Sequence, residues 1–184
     1  MVVCVKWIPP YNNYAAAFGS AIGSSYFYSA TPSANSYLYV QNCTIVSNSG
    51  AISYRLYNSS LGYHPALYLQ NSIVYSNGTP FALADTTYPN PVTNTFTNSC
   101  FYPTNTCSWS GSGIITNYPQ FVNFAGLDFH LQSKSPCINT GTNQDWWMIG
   151  ATDLDGQRRI DPVSGIVDMG CYEYVTRGTM FIIR

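Results

Sequence analysis

Residues 39–50 read Tyr39-Val40-Gln41-Asn42-Cys43-Thr44-Ile45-Val46-Ser47-Asn48-Ser49-Gly50, and residues 68–78 read Tyr68-Leu69-Gln70-Asn71-Ser72-Ile73-Val74-Tyr75-Ser76-Asn77-Gly78. Gln41-Asn42 matches Gln70-Asn71 and Ser47-Asn48 matches Ser76-Asn77, in both cases 29 residues apart. Each copy is a short β-branched run closed by Asn and a small residue. That pattern predicts a strand followed by a turn in which Asn takes the left-handed conformation. Recurrence at this period marks a stacked-repeat fold, in which one coil cannot bury its own apolar face and leans on the next. Asn48 and Asn77 are therefore expected at one turn of adjacent coils, as a structural amide ladder, with Ile45 and Ile73 stacked in the interior.

Outward from this phrase, Asn13-Tyr14-Ala15 and Gly19-Ser20-Ala21-Ile22 resemble Asn48-Ser49-Gly50-Ala51-Ile52 and predict a third, degraded copy. From Tyr37 to Val46 and from Ala66 to Tyr75 the apolar residues partly alternate and then bunch, as in stacked parallel strands. No stretch of useful length has a helical period. Pro80, Pro89, Pro91, Pro103 and Pro119 make residues 79–124 read as irregular loops with short strands.

The chain has 184 residues, of which only 8% are charged, and 16 are tyrosines. Its polarity comes from hydroxyls and amides, which suits an all-β surface of ladders and turns and neutral partners such as sugars. A net charge of −1 gives nucleic acid and anionic membranes no electrostatic support. No apolar run approaches the ~20 residues of a membrane-spanning helix. The opening residues lack a basic n-region and a signal-length apolar stretch, so the chain reads as a C-terminal fragment of a longer repeat protein.

Charge is unevenly placed. Between Trp7 and Leu127 the only charged side chains are Arg55 and Asp85, whereas Asp128 to Glu173 holds seven of the eight acids. The expected divisions are coils in 1–80, an irregular last coil and loops in 81–125, a cap in 126–175 and a short tail in 176–184. The cap is expected to close the last coil. Six cysteines without a CxxC pair, and only two histidines, argue against a zinc site. Cys100 and Cys107 bracket a loop that a disulfide between them would close, while Cys43 reads as a buried free thiol.

The charged section contains Tyr118-Pro119-Gln120-Phe121-Val122, Asp128-Phe129-His130-Leu131, Ser135-Pro136-Cys137-Ile138-Asn139-Thr140-Gly141, Asp153-Leu154-Asp155-Gly156-Gln157-Arg158-Arg159-Ile160 and Val167-Asp168-Met169-Gly170-Cys171-Tyr172-Glu173-Tyr174. In that order these phrases resemble the C-terminal section of bacterial cell-surface right-handed parallel β-helix proteins that end in a choice-of-anchor-Q type region. The resemblance covers about residues 37–175. It implies an all-β, right-handed parallel β-helix of about three coils with an irregular C-terminal cap, and a secreted or cell-surface location. It implies no particular activity. Cys171 stands where such proteins carry a small residue, and a Cys137–Cys171 link is one pairing this opens.

Catalysis on a β-helix calls for a carboxylate pair, or for several carboxylates around calcium with a base. The coil region offers Asp85, Arg55 and His64, one of each, so a lyase or hydrolase is the alternative reading and would place its catalytic coils upstream. No cofactor is expected. Asp153 and Asp155 are the only calcium candidates, against a simpler reading as a Gly-closed turn whose acids pair with Arg158 or Arg159. Asp168 and Glu173 read as structural or solvated, and His130 as a core or edge residue.

The tyrosines carry the binding expectation. Tyr54, Tyr57, Tyr63 and Tyr68 are the candidate ligand contacts, because flat hydroxylated rings stack on sugar C–H faces. The sequence thus points to a non-catalytic module for glycan binding or adhesion, with a neutral polysaccharide or surface protein as partner. A purely structural stalk is the third reading.

Overall fold

The structure, a computed structural model, describes residues 2–3, 20–27, 37–48, 50–57, 66–85, 93–102, 111–144 and 150–175. All regular structure among them is β-strand. The strands are β1 (Val2–Val3), β2 (Ser20–Phe27), β3 (Tyr37–Gln41), β4 (Thr44–Val46), β5 (Gly50–Tyr57), β6 (Ala66–Gln70) and β7 (Ile73–Tyr75). They continue as β8 (Thr79–Asp85), β9 (Thr93–Thr97), β10 (Cys100–Tyr102), β11 (Gly111–Ser112), β12 (Phe121–Asn123) and β13 (Asp128–Leu131).

The chain visits three sheets in rotation. β3, β6 and β9 pair in parallel, as do β4, β7 and β10, and as do β2, β5 and β8. Equivalent positions lie 29 residues apart in the first step and 27 in the next. Ser20 pairs with Gly50 and Ile22 with Ile52, so the Ser20-Ala21-Ile22 part of the degraded copy is a strand in register, while Asn13-Tyr14-Ala15 and Gly19 lie outside the described residues. The segment expected to be irregular is more regular than its prolines suggest, since it supplies β8, β9 and β10. β1 runs antiparallel along the outer edge of β4, Val2 opposite Ile45.

Two kinds of corner join the strands. Between the first two sheets stand Asn42, Asn71 and Asn98, all with positive φ of 53°, 49° and 43°. Asn tolerates this region because its short amide bonds locally. The next residues, Cys43, Ser72 and Ser99, are fully buried and form a ladder. The Cys43 N–H donates to Ser72 Oγ and the Ser72 N–H to Ser99 Oγ, each at 3.1 Å, while each Ser hydroxyl donates to the carbonyl two residues before it at 2.8 Å. No corner polar group in this ladder is buried without a partner, the condition for placing such groups in a core.

At the second corner the left-handed residues are Ser47 and Ser76, φ 53° and 51°, not the asparagines. Asn48 and Asn77 follow them and work through their amides. Asn48 Nδ2 donates to Asn77 Oδ1 at 2.9 Å and to the Val46 carbonyl, and Asn77 Nδ2 reaches the Ile45 and Tyr75 carbonyls.

The interior is apolar: Leu38, Val40, Ile45, Ile52, Leu67, Leu69, Val74, Phe96 and Phe101 pack with Cys43. Ile45 lies opposite Val74, and Ile73 opposite Thr44. The expected Ile45–Ile73 stack is therefore incorrect. A constant 29-residue step puts the two isoleucines one position out of register, hence on opposite sheet faces. Ile73 belongs to a second cluster, with Val46, Cys100, Phe121, Phe129, Leu131, Cys137 and Met169.

That second cluster is the seam between the β4-β7-β10 sheet and residues 118–175. The covering section lies along the sheet's flank. Its Arg159 Nη2 donates to Asn42 Oδ1 at 3.1 Å. Asn71 exchanges two 2.8 Å hydrogen bonds with the Thr142 backbone, and Asn98 Nδ2 donates to the Thr140 carbonyl at 3.1 Å. Three successive rounds thus hold one cover. Gly170, at φ +96°, lies so close that an added Cβ would meet Thr44 Oγ1 at 2.8 Å and Ile73 Cδ1 at 2.9 Å.

Candidate functional site

The cover begins as a hairpin. Phe121 pairs with Leu131 and Asn123 with Asp128. Strand alternation buries Phe129 and Leu131 against the sheet and turns Asp128 and His130 outward. His130 is thus a half-exposed ring on the outer face. Its Nδ1 lies 2.5 Å from Asp128 Oδ1 and its Nε2 2.7 Å from Asp155 Oδ2. The ring stacks on Tyr172, with centroids 4.0 Å apart and planes at 26°.

Asp155 is delivered by a tight turn. Asp153 Oδ1 accepts the N–H groups of Asp155 and Gln157 at 2.9 and 2.8 Å, and its Oδ2 accepts the Glu173 N–H at 2.9 Å. Gly156, at φ +79°, allows the reversal. The two calcium candidates therefore face different partners, Asp153 the backbone and Asp155 an imidazole. Among the described residues no group of three or more His, Cys, Asp or Glu is placed to hold a metal ion.

Asp128, His130, Asp155 and Gln157 border a groove of about 640 Å³, with Val122, Leu131, Glu173, Tyr174 and Val175 completing its lining. Burial lowers the His130 pKa, but its hydrogen bonds to Asp155 and Asp128 outweigh it and the net shift is upward. The same His130 contact holds Asp128 below the usual carboxylate range. The imidazolium is favoured here because each ring N–H meets an anion.

Behind the groove lies a buried ionic layer. Arg159 Nε sits 3.1 Å from Glu173 Oε1, both side chains less than 5% exposed. Burial pushes the Glu173 carboxyl up to about 8, against the pull of Arg159, and raises Asp168 as well. Glu173 accepts the Asp168 N–H, and Asp168 accepts the N–H groups of Asn139 and Tyr174 at 2.7 and 2.6 Å. The pairing expected between Arg159 and the Asp153–Asp155 acids is thus made with Glu173. Asp168 and Glu173 are thus structural and buried, not solvated.

Of the candidate ligand tyrosines, Tyr54 and Tyr57 lie on β5 and Tyr68 on β6. Tyr68 is half-buried and stacks on Tyr39 at 4.8 Å and 11°. Tyr54 pairs with Ser24 and Leu83, Tyr57 pairs with Phe27, and Tyr63 lies outside the described residues. Arg55 pairs with Ala84 and Asp85 with Leu56, so these two do not share a register position, and His64 lies outside the described residues. Cys100 is a free buried thiol rather than half of a disulfide, and Cys107 lies outside the described residues. Cys137 is free as well, so neither the Cys100–Cys107 nor the Cys137–Cys171 bridge is present.

Sequence reasoning missed Asp128 and the exposure of His130. The signal was available in Asp128-x-His130, whose spacing puts both on one strand face; the approach of Asp155 from 25 residues away had none. Among the described residues no helix is long and apolar enough to cross a membrane. No family model matches this chain, and no curated protein or solved structure matches it either.

Proposed function

We propose that the chain is a right-handed parallel β-helix module of a secreted or cell-surface protein that binds a glycan without turning it over, in the groove beside His130. The observation that carries this reading is the division of the acids. Asp128 and Asp155 stand at the groove, fixed through His130, and carboxylates beside a carboxamide such as Gln157 suit the vicinal hydroxyls of a sugar. The carboxyl whose raised pKa suits a general acid, Glu173, is turned inward onto Arg159 and the Asp168 N–H. Glu173 borders the groove, but its side chain is almost fully buried on those partners, which supports binding over turnover. The surface location and the handedness rest on the resemblance of the C-terminal phrases.

A glycan array run beside reducing-sugar and unsaturated-product assays tests this. The expected outcome is weak, nearly salt-independent binding that is unchanged by chelator and lost on Asp155→Asn or Gln157→Ala. Binding lost instead on Tyr54→Ala, Tyr57→Ala, Tyr63→Ala or Tyr68→Ala would move the site to the coils. Product release would replace the reading with a lyase or hydrolase. Silence in every assay would leave a structural stalk.

A further inference from the structure

Cys100 and Cys137 face one another across the seam between sheet and cover. Cys100 sits on the outer face of β10, in the column that runs Thr44, Ile73, Cys100, and it pairs onward with Ile115. Its N–H donates to the Ser72 carbonyl at 2.8 Å, which pins its backbone to the sheet. Cys137 comes from the turn at Ser135-Pro136. Its N–H donates to Ser135 Oγ at 3.1 Å and its carbonyl accepts the Met169 N–H at 3.0 Å. Both residues are fully buried in one apolar cluster and both are free; the Cys100 thiol donates to the Asn117 carbonyl at 3.3 Å, and the Cys137 side chain lies within hydrogen-bonding reach of it. A disulfide needs this kind of facing, contacting pair held by fixed backbones.

We infer that Cys100 and Cys137 are a disulfide site, oxidised when the chain folds in an oxidising medium and stapling the cover to the sheet. The co-reactant is a small disulfide such as oxidised glutathione. Two S–H bonds break, one Cys100–Cys137 S–S bond forms, and glutathione disulfide takes up both electrons and both protons as two thiols. The timing follows from burial. The hydrogen bond from Cys137 and desolvation hold the Cys100 thiol far above its ordinary range, so the closed protein supplies no thiolate to begin exchange. Oxidation therefore belongs to the stage before the cover closes.

The test refolds the full chain in a buffer of reduced and oxidised glutathione, then maps non-reduced peptides by mass spectrometry. The expected result is one cross-linked pair containing Cys100 and Cys137. The oxidised protein should melt roughly 5–10 °C above the reduced one. Cys171→Ser should keep the link and the shift, and Cys137→Ser should lose both. Thiols at Cys100 and Cys137 that are fully alkylated after denaturation would overturn the inference, as would a link from Cys137 to Cys171 or from Cys100 to Cys107. The mapping on the unaltered chain decides even where a variant misfolds. It is also independent of whether the groove binds a glycan.

Discussion

Strand β7 is apolar on both sides, with Val74 in the interior and Ile73 against the cover, whereas β6 buries Leu67 and Leu69 and leaves Tyr68 and Gln70 only half covered. Both strands belong to the same round and are separated by two corner residues. The Ala66–Gln70 strand alternates as a one-sided sheet should, and Ile73–Tyr75 runs continuously apolar as a sheet covered on both faces should. The difference teaches that bunching within a repeat marks where another part of the chain lies alongside. The outer column Val46, Tyr75, Tyr102 makes the same point. Tyr75 packs edge-on against Phe121 and Phe124 of the cover, while in the open sheet Tyr68 has Tyr39 as its stacked neighbour.

The largest effect should come from the covered side. Measured above about pH 8, where Glu173 is ionised, Arg159→Met leaves its carboxylate buried without its cation and should cost about 3–5 kcal/mol, read by chemical denaturation. A cost below about 1 kcal/mol would show that the cover is held by apolar contact alone. Next, Ile73→Ala should cost about 2–4 kcal/mol, close to that of the interior Ile45→Ala, because both sites are fully enclosed. If Ile73→Ala behaved like a surface change, the two-faced burial would be wrong.

The covered side should also titrate. The folded Glu173 carboxyl lies near 8, above its ordinary 4.5, so the folded protein holds the proton more tightly than the unfolded chain. Its contribution is fully present below about 4.5 and is lost as pH rises through about 8, at no more than about 1.4 kcal/mol per pH unit. The denaturation midpoint should fall over that window, and Glu173→Gln should flatten the slope. An equal slope in Glu173→Gln would assign the effect to Asp168. The smallest change is expected on the open side, where Tyr68→Ala should cost about 1 kcal/mol or less.

The repeat was legible because its corners are written in short polar residues that tolerate few substitutes. Asn42-Cys43 and Asn71-Ser72 gave the step, and Ala21-Ile22 gave the earlier strand. The round at 93–102 was hidden although Asn98-Ser99 repeats Asn71-Ser72, because a 27-residue step and flanking prolines broke the pattern. The candidate site was less legible. Asp153 and Asp155 were visible as a turn, but their partners, the Glu173 N–H and His130, come from distant segments. Pairing across such separations is decided by how the cover lies, which no local pattern records. Of the candidate tyrosines, Tyr68 stacks on Tyr39 at the matching position of the neighbouring strand, a pairing that the 29-residue step already implied.

The asparagine corners have a consequence for how this protein can change in length. Asn42, Asn71 and Asn98 receive Arg159, Thr142 and Thr140 in turn, so the cover works as a ruler graduated in strand spacings. Inserting or deleting a round between Asn42 and Asn98 would displace one contact by ~4.8 Å, more than any hydrogen bond can follow. Duplication of a round within the ruled segment would therefore break this contact set, and the number of rounds there is tied to the section that follows them.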